Sequence, residues 1–290
     1  MQPYAHAPRM GAGTAGKHGL LRLGFERDGE RTIMLGWERH VPLIVQQALY
    51  FDAEWAELPC VYILSSGGPN VDGDRYEQYF SVGRDAFAHI ATGAATKIAS
   101  MRYNYASLCQ RIELAQGAYL EYLPESVIPC RGSRYCSQTH IVIAASATLL
   151  YAETYLCGRR WSGERFDYDI LSVAMRAERD DGELLFTDKF IIRPHDEHPS
   201  VEGVMGPFEV LSQVVVLTPQ HVAEQIYREC GPVARPDFMA SATMLPNGAG
   251  VIYRIMGMHS QEVKREVRKF CSLVRMTVKG RTLADDFPWR

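Results

Sequence analysis

The sequence lacks the features that would indicate a membrane-bound, nucleic-acid-binding or secreted protein. Its longest apolar run, residues 141–152, is shorter than the roughly 18 apolar residues of a membrane-spanning helix. A net charge of −3 gives no general attraction to nucleic acid or to anionic lipid. The seven cysteines are odd in number and scattered, and residues 1–16 have no signal-peptide pattern. We therefore expect a cytoplasmic protein with neither membrane nor nucleic-acid partners.

Helical periodicity is also missing from most of the chain. Between residues 19 and 208, short apolar or alternating runs follow one another roughly every ten residues, separated by turn residues. This spacing favours an all-β domain. Residues 1–18 predict a flexible arm. Residues 11–18 of this arm are similar to a phosphate-binding loop, but His18 occupies the position that needs a hydroxyl.

A weak repeat of roughly 30 residues runs through the middle of the chain. Each copy is a strand, a three-residue turn, an alanine and a second strand, and the turns are residues 83–85, 115–117 and 144–146. Such a period indicates stacked β units that bury one continuous core, as in a β-solenoid, although three ordinary hairpins would give the same local pattern. Residues 168–177 and 184–192 predict a further hairpin.

The pattern changes after a stretch rich in proline and histidine, residues 193–207. The elements predicted beyond it are a strand (residues 210–217), a helix capped by Thr218 (219–229), two strands (238–244 and 251–256) and a helix from Ser260. We expect Val263, Val267, Phe270, Cys271 and Val274 to share one face of that last helix.

The predicted fold class is mainly β, with stacked, solenoid-like sheets and a small C-terminal α+β module that contains two helices. The predicted divisions are a flexible arm (residues 1–18), a β-rich scaffold domain (19–208), the α+β module (209–280) and a polar tail (281–290).

A loose Cys-x5-Cys-x3-His array is formed by Cys130, Cys136 and His140. Structural zinc sites usually have tighter pairs and four ligands, so buried structural cysteines are favoured. No nucleophile elbow or zincin motif occurs in the sequence. The alternative to structural cysteines is a zinc-binding protein or a metal-dependent enzyme that uses these three residues.

Three acids lie within apolar strands: Glu121, Glu153 and Asp188. In a strand of period two they could simply face solvent. If they face inward, burial requires a partner such as a cation or a hydrogen-bond donor. Carboxylates along a wet internal passage would suit a divalent cation in transit.

Four motifs in order carry a family resemblance: Gly-Gly-Pro-Asn-Val-Asp-Gly-Asp (residues 67–74), Thr-Gly-Ala-Ala-Thr-Lys-Ile (92–98), Leu-Glu-Tyr-Leu-Pro-Glu (120–125) and Gly-Arg-Arg-Trp-Ser-Gly-Glu (158–164). Together they resemble the urease accessory protein UreD, called UreH in some organisms. The likeness covers nearly the whole chain from Gly19 onward.

The resemblance implies a non-enzymatic scaffold that binds the urease apoprotein and UreF, through which the GTPase UreG is recruited. It implies transient handling of nickel without a tightly bound cofactor, and an internal tunnel for the metal. The positions that match the tunnel are Asp74, Thr96, Glu153 and Asp188. The resemblance implies a structural role for the other motif positions: Gly67, Gly68, Asp72, Gly73, Lys97, Glu121, Pro124, Gly158, Arg159, Gly163 and Glu164. A partner-binding β scaffold that handles no metal is a further alternative.

Overall fold

The computed structural model describes residues 16–284 of the chain. This part contains eighteen strands and two α-helices. The predicted arm, its phosphate-loop-like segment and the predicted tail therefore lie mostly outside the described residues. The first nine strands are β1 (His18–Asp28), β2 (Arg31–His40), β3 (Leu43–Ile44), β4 (Cys60–Ser65), β5 (Arg75–Val82), β6 (Phe87–Thr92), β7 (Thr96–Ile98), β8 (Ala106–Leu114) and β9 (Tyr119–Leu123). The other nine are β10 (Val127–Pro129), β11 (Arg134–Ile143), β12 (Thr148–Leu156), β13 (Ile170–Glu178), β14 (Leu184–Ile192), β15 (Val210–Leu217), β16 (Val233–Arg235), β17 (Phe238–Met244) and β18 (Gly250–Gly257). The helices are α1 (Gln220–Glu229) and α2 (Ser260–Lys279).

The strands form two sheets that enclose the main core. The seven-stranded sheet has the order β14-β13-β11-β8-β5-β1-β2. The eleven-stranded sheet has the order β16-β17-β18-β15-β12-β9-β6-β4-β3, with β10 attached to β12 and β7 attached to β10. We call the short pair β7 and β10 the third face. Neither helix in the described residues is long and apolar enough to cross a membrane.

Between β5 and β12 the chain winds as a coil. It passes from the seven-stranded sheet into the eleven-stranded sheet, continues to the third face, and returns one rung further along. Successive rungs pair in parallel, and hydrogen-bonded side chains at equivalent positions are 32 and 29 residues apart. The predicted solenoid-like stack is therefore confirmed. The hairpin alternative is wrong for these units because the two strands of each unit lie in different sheets, whereas β13 and β14 form the predicted hairpin.

In each repeat the turn and the alanine after it form a corner, where the chain passes from the seven-stranded to the eleven-stranded sheet. The space at this corner explains the alanine. Ala86, Ala118 and Ala147 are each at most 1 % exposed. Backbone hydrogen bonds from Tyr119 to Ala86 (2.9 Å) and from Thr148 to Ala118 (2.8 Å) continue the parallel ladder through the corner. Because the backbones of both sheets converge there, a methyl group fills the space available.

Inward-facing side chains change from apolar to polar along the seven-stranded sheet. Near the corner, three successive rungs contribute core residues: Phe80, Ile112 and Ile141. Two residues earlier in the same strands, buried polar side chains face the same interior: Gln78, Gln110 and Thr139. The coil thus has a dry side at the corner and a polar side towards the third face.

The C-terminal elements extend and cover the eleven-stranded sheet. Strand β15 pairs with β12 along its whole length, and both helices bury a second core against the outer face of this sheet. The predicted apolar face of α2 is buried as expected: Val263, Val267, Phe270, Cys271 and Val274. The domain boundary at residue 208 stays a prediction.

Three details of the predicted elements are wrong. Thr218 does not cap α1; its hydroxyl lies 2.8 Å from that of Thr148, and the N-cap position is Pro219. Residues 43–47 are one of the short apolar runs that predict strands, but β3 ends at Ile44, and the Val45 carbonyl instead accepts a hydrogen bond from the Arg39 guanidinium. Strand β16 was not predicted because prolines flank its three residues.

Ala118→Leu is expected to destabilise the coil by about 1–3 kcal/mol, because the added atoms must enter the closed corner between the sheets. Urea unfolding measures the change. The matched control is Ala115→Leu, three residues earlier on an exposed turn. If both variants unfold alike, the corner does not limit side-chain size.

Candidate functional site

A cavity of about 640 Å³ lies on the polar side of the coil. Its walls come from both sheets and from the third face. The lining includes Tyr76 and Gln78 from β5, Thr96 from β7, Tyr122 from β9, and Tyr151 and Glu153 from β12. Oxygen atoms of hydroxyl, amide and carboxylate groups are therefore available inside the coil, beside the apolar core.

Glu153 brings a carboxylate to the wall of this cavity. It is 7 % exposed, because β12 turns this side chain towards the interior. The Tyr151 hydroxyl lies 2.9 Å from Glu153 Oε1, and the Gln213 amide donates to Oε2 at 2.9 Å. Burial raises the pKa of Glu153, and hydrogen bonds from Gln213 and Tyr151 offset only part of the rise. The solvent-facing interpretation is wrong for this residue.

A polar row on the seven-stranded sheet meets Glu153 through Tyr151. The Tyr151 hydroxyl also lies 2.9 Å from Gln110 Oε1, so its single proton serves one of the two acceptors at a time. Gln110 donates to Gln78 Oε1 at 2.8 Å, and the Thr139 hydroxyl lies 3.3 Å from Gln110 Oε1. The polar positions of three rungs thus bond to one another, as burial requires.

A second row leads from Glu153 to the surface. Gln213 on β15 and Arg254 on β18 stand in register with Glu153 across the eleven-stranded sheet. Arg254 donates to both carboxylate oxygens of Asp188 at 3.0 Å, joining the two sheets. The Asp188 side chain is 25 % exposed and that of Arg254 is 51 % exposed, so this row ends in water.

The four predicted tunnel residues do not form one cluster. Thr96 and Glu153 line the cavity, together with the motif residues Lys97 and Pro124. Asp188 lies at the outer end of the second row. Among residues 16–284, no three His, Cys, Asp or Glu side chains form a group that could hold a metal ion.

Asp74 lies outside the cavity and is completely buried. Its carboxylate accepts hydrogen bonds from the backbone N–H groups of Lys17 (2.8 Å) and Val71 (2.9 Å), and from the Tyr76 hydroxyl (3.2 Å). It also forms an ion pair with Lys17 Nζ at 2.8 Å. Asp74 is therefore connected to the cavity through Tyr76, which lines it.

The first motif forms the turn between β4 and β5. The Asp72 carboxylate accepts hydrogen bonds from the backbone N–H groups of residues 102–104, which belong to the next rung. Gly68 and Gly73 have φ angles of 67° and 86°, in the left-handed region that favours glycine. Motif residues at this turn thus connect neighbouring rungs.

Glu121 faces the outer side of its sheet but is completely buried beneath α2. Arg275 donates to both of its carboxylate oxygens at 2.7 Å, and the same guanidinium bonds Asp52. The Tyr119 hydroxyl donates at 2.6 Å, and His89 Nδ1 lies 2.7 Å away. Burial alone would raise the pKa of Glu121, but Arg275 and His89 outweigh it and hold the pKa well below its usual range. The alternative of a buried acid with a cationic partner is correct here.

The fourth motif is a compact loop closed by one ion pair. The Arg159 guanidinium bonds the buried Glu164 carboxylate, which also accepts the Arg131 N–H at 3.2 Å. Hydrogen bonds from Arg159 lower the pKa of Glu164. Gly158 and Gly163 have φ angles of 143° and 74°, which explains glycine at both positions.

The structure does not assemble the alternative metal site. His140 lies between Arg111 and Glu178, each at 2.9 Å. Burial raises the pKa of the Cys130 thiol, and raises that of Cys136 to about 11, so both favour the neutral thiol. All seven cysteines fall within the described residues, and each is free.

Sequence reasoning missed several residues that surround the predicted acids: Gln78, Gln110, Gln213, Arg254 and Arg275. The repeat could have revealed Gln78 and Gln110, since they occupy equivalent positions one rung apart. Arg275 gave no comparable signal, because a cation on a mostly apolar helix face usually extends to solvent.

A coil of parallel strands, with a helix-covered flank and a cavity that polar side chains line in part, defines a β-solenoid scaffold. A family model described as UreD urease accessory protein matches residues 17–290. The chain is 39 % identical to "Urease accessory protein UreD" of Photorhabdus laumondii, with 98 % of this chain and 89 % of the relative covered. It is 41 % identical to "Urease accessory protein UreD 2" of Brucella ovis (96 % and 93 % covered) and 40 % identical to the protein of that name in Methylorubrum extorquens (99 % and 94 %). The chain belongs to the UreD family of urease accessory proteins, and membership of an accessory-protein family implies a non-catalytic role.

Arg275→Met is expected to destabilise the protein by about 3–5 kcal/mol, because it leaves two buried carboxylates without their cation. Adding Glu121→Gln should recover part of the loss. Urea unfolding compares both variants with Arg281→Met, which removes a half-exposed arginine and should cost at most about 1 kcal/mol. Equal effects at the two arginines would contradict this role.

Glu153→Gln is expected to raise the thermal unfolding midpoint, and the gain should grow as pH rises. The raised pKa means that the folded state holds a proton that the unfolded chain has released, so stability falls as pH rises from the unfolded pKa through the folded one. Thermal unfolding between about pH 4 and about pH 8 measures the difference. Glu229→Gln, at an exposed position, is the control; a gain independent of pH would count against a charged, buried Glu153.

Proposed function

We propose that this chain serves urease maturation as a non-enzymatic cytoplasmic scaffold that passes nickel ions through its interior towards the urease apoprotein. The observation that carries the proposal is the Glu153 carboxylate in the wall of the internal cavity, in a chain of the UreD family. Nickel is the cargo of this scaffold, handled transiently.

The donor set of the cavity suits passage of a divalent cation. One buried carboxylate, surrounded by neutral hydroxyl and amide oxygens, attracts a divalent ion but binds it less tightly than thiolate or imidazole clusters do. Deprotonation of Glu153 creates the anionic ligand. Because burial raises its pKa, a metal ion that approaches must displace a proton more often than at an exposed carboxylate.

The second polar row and the third face together give the cavity a direction. The row through Gln213 and Arg254 leads from Glu153 to the partly exposed Asp188, while Thr96 and Lys97 lie at the third face. We propose that nickel moves between these two regions, with Thr96, Glu153 and Asp188 as successive oxygen contacts. Asp74 supports the cavity wall through Tyr76.

The proposed partners are UreF, UreG through UreF, and the urease apoprotein. The names of the relatives support a part in urease maturation. A scaffold that binds the same partners without handling metal is the second candidate, and it predicts that the cavity acids are dispensable.

Glu153→Gln is expected to lower the nickel content of co-produced urease several-fold while leaving the complex with UreF intact, because the isosteric amide keeps the cavity shape but removes the charge. Metal analysis of purified urease, urease activity and co-purification of UreF are the three measurements.

Glu229→Gln, on the exposed end of α1, is the matched control and should load urease normally. Full nickel loading by the Glu153→Gln variant would favour the metal-free scaffold. Loss of the UreF complex together with nickel would mean that Glu153 acts in assembly.

A further inference from the structure

Trp161 is 98 % exposed, more than any other large apolar residue that the structure describes. The Arg160 guanidinium lies 6.0 Å from the centre of its ring. Tryptophan carries a large apolar surface and normally buries most of it. A fully hydrated indole at the tip of a loop is therefore a feature that folding of this chain leaves unused.

The loop that presents Trp161 is firmly held. It contains a short 3-10 turn, Arg160–Ser162, between two glycines in left-handed conformations. The Arg159–Glu164 ion pair closes the base of the loop, and Arg160 donates to the Met258 carbonyl at 2.8 Å. A fixed loop loses little conformational entropy when its tip is bound.

The surroundings of the indole are basic. Arg160 and Arg165 both pair with Glu209, at 3.0 and 3.1 Å, and the Glu209 side chain is only 12 % exposed. The guanidinium side chains are 41 % and 42 % exposed, and that of Arg131 is 67 % exposed. Glu209 lies beneath Arg160 and Arg165, whereas Asp167, the partner of Arg131, is 36 % exposed, so the outer surface beside Trp161 presents more positive than negative charge.

We propose that Trp161 is the anchor of a docking surface for an acidic protein, whose binding site is an apolar pocket edged by carboxylates. Tryptophan and arginine are the residues most enriched among those that dominate protein interfaces. Charge complementarity selects a negatively charged partner and accelerates its association. The arginines beside Trp161 are already paired with carboxylates of the chain, and the net charge of −3 gives no general attraction to nucleic acid, which favours a protein as the partner. The inference rests on the proposed function in one respect: the partner is sought among the proteins of urease maturation.

Photocrosslinking tests the proposal directly. The full chain, carrying p-benzoylphenylalanine at position 161, is produced in cells that express the urease subunits and the other accessory proteins. We expect a crosslink to one of those proteins, at a peptide that combines apolar residues with Asp or Glu. The same photoreactive residue at position 227, an exposed tyrosine on α1, is the control and should not give that product.

Substitutions then measure how much Trp161 and Arg131 each contribute to binding. The protein identified by the crosslink is purified and titrated against the full chain. Trp161→Ala should weaken binding at least about tenfold without changing the unfolding midpoint, since the ring packs against little else. Arg131→Glu should slow association and reduce its dependence on salt. Tyr227→Ala should have no effect.

A crosslink to a second copy of this chain or to RNA would overturn the proposal, as would binding within about twofold of the unchanged chain for Trp161→Ala. The experiments distinguish failure of this docking proposal from failure of the proposed nickel function. In the latter case Glu153→Gln would leave urease fully loaded, while the crosslink at position 161 would still form.

Discussion

In-register stacking of parallel strands is the constraint on which the other features of this protein depend. Each rung places equivalent residues directly above one another, so a single position of the repeat becomes a row through the molecule. Rows of alanine and of large apolar residues close the corner and fill the core. The row of Gln78, Gln110 and Thr139 creates a polar interior that satisfies its own hydrogen bonds. The cavity follows from this division of each rung into a dry and a polar part.

The cluster around Arg275 fixes the C-terminal helix to the coil. Its guanidinium bonds Glu121 and Asp52, and none of the three side chains is accessible to water. Apolar packing alone would tolerate small shifts of α2 along the sheet, whereas a bidentate ion pair permits one position. Removal of one member leaves an uncompensated buried charge, so the cluster acts as a unit.

Glu153 illustrates the opposite use of a buried acid. Within residues 16–284 no ion pair compensates its charge, and hydrogen bonds from neutral groups do so only in part, so burial raises its pKa. Such a group lowers stability at neutral pH, which is typical of positions kept for function. Two carboxylates in neighbouring strands, Glu121 and Glu153, thus differ in role because one meets a guanidinium and the other meets a cavity.

The sequence by itself determined the local elements, the stacked repeat, the glycine turns and the family, because these depend on neighbouring residues and on a regular period. It also identified Glu121 and Glu153 as acids that need partners if buried. Only the tertiary structure decided which partners they have. Glu121 meets Arg275, which is 154 residues away along the chain, and Glu153 meets Gln213, 60 residues away. Contacts of this kind depend on how the sheets and helix pack, and no local pattern encodes that packing.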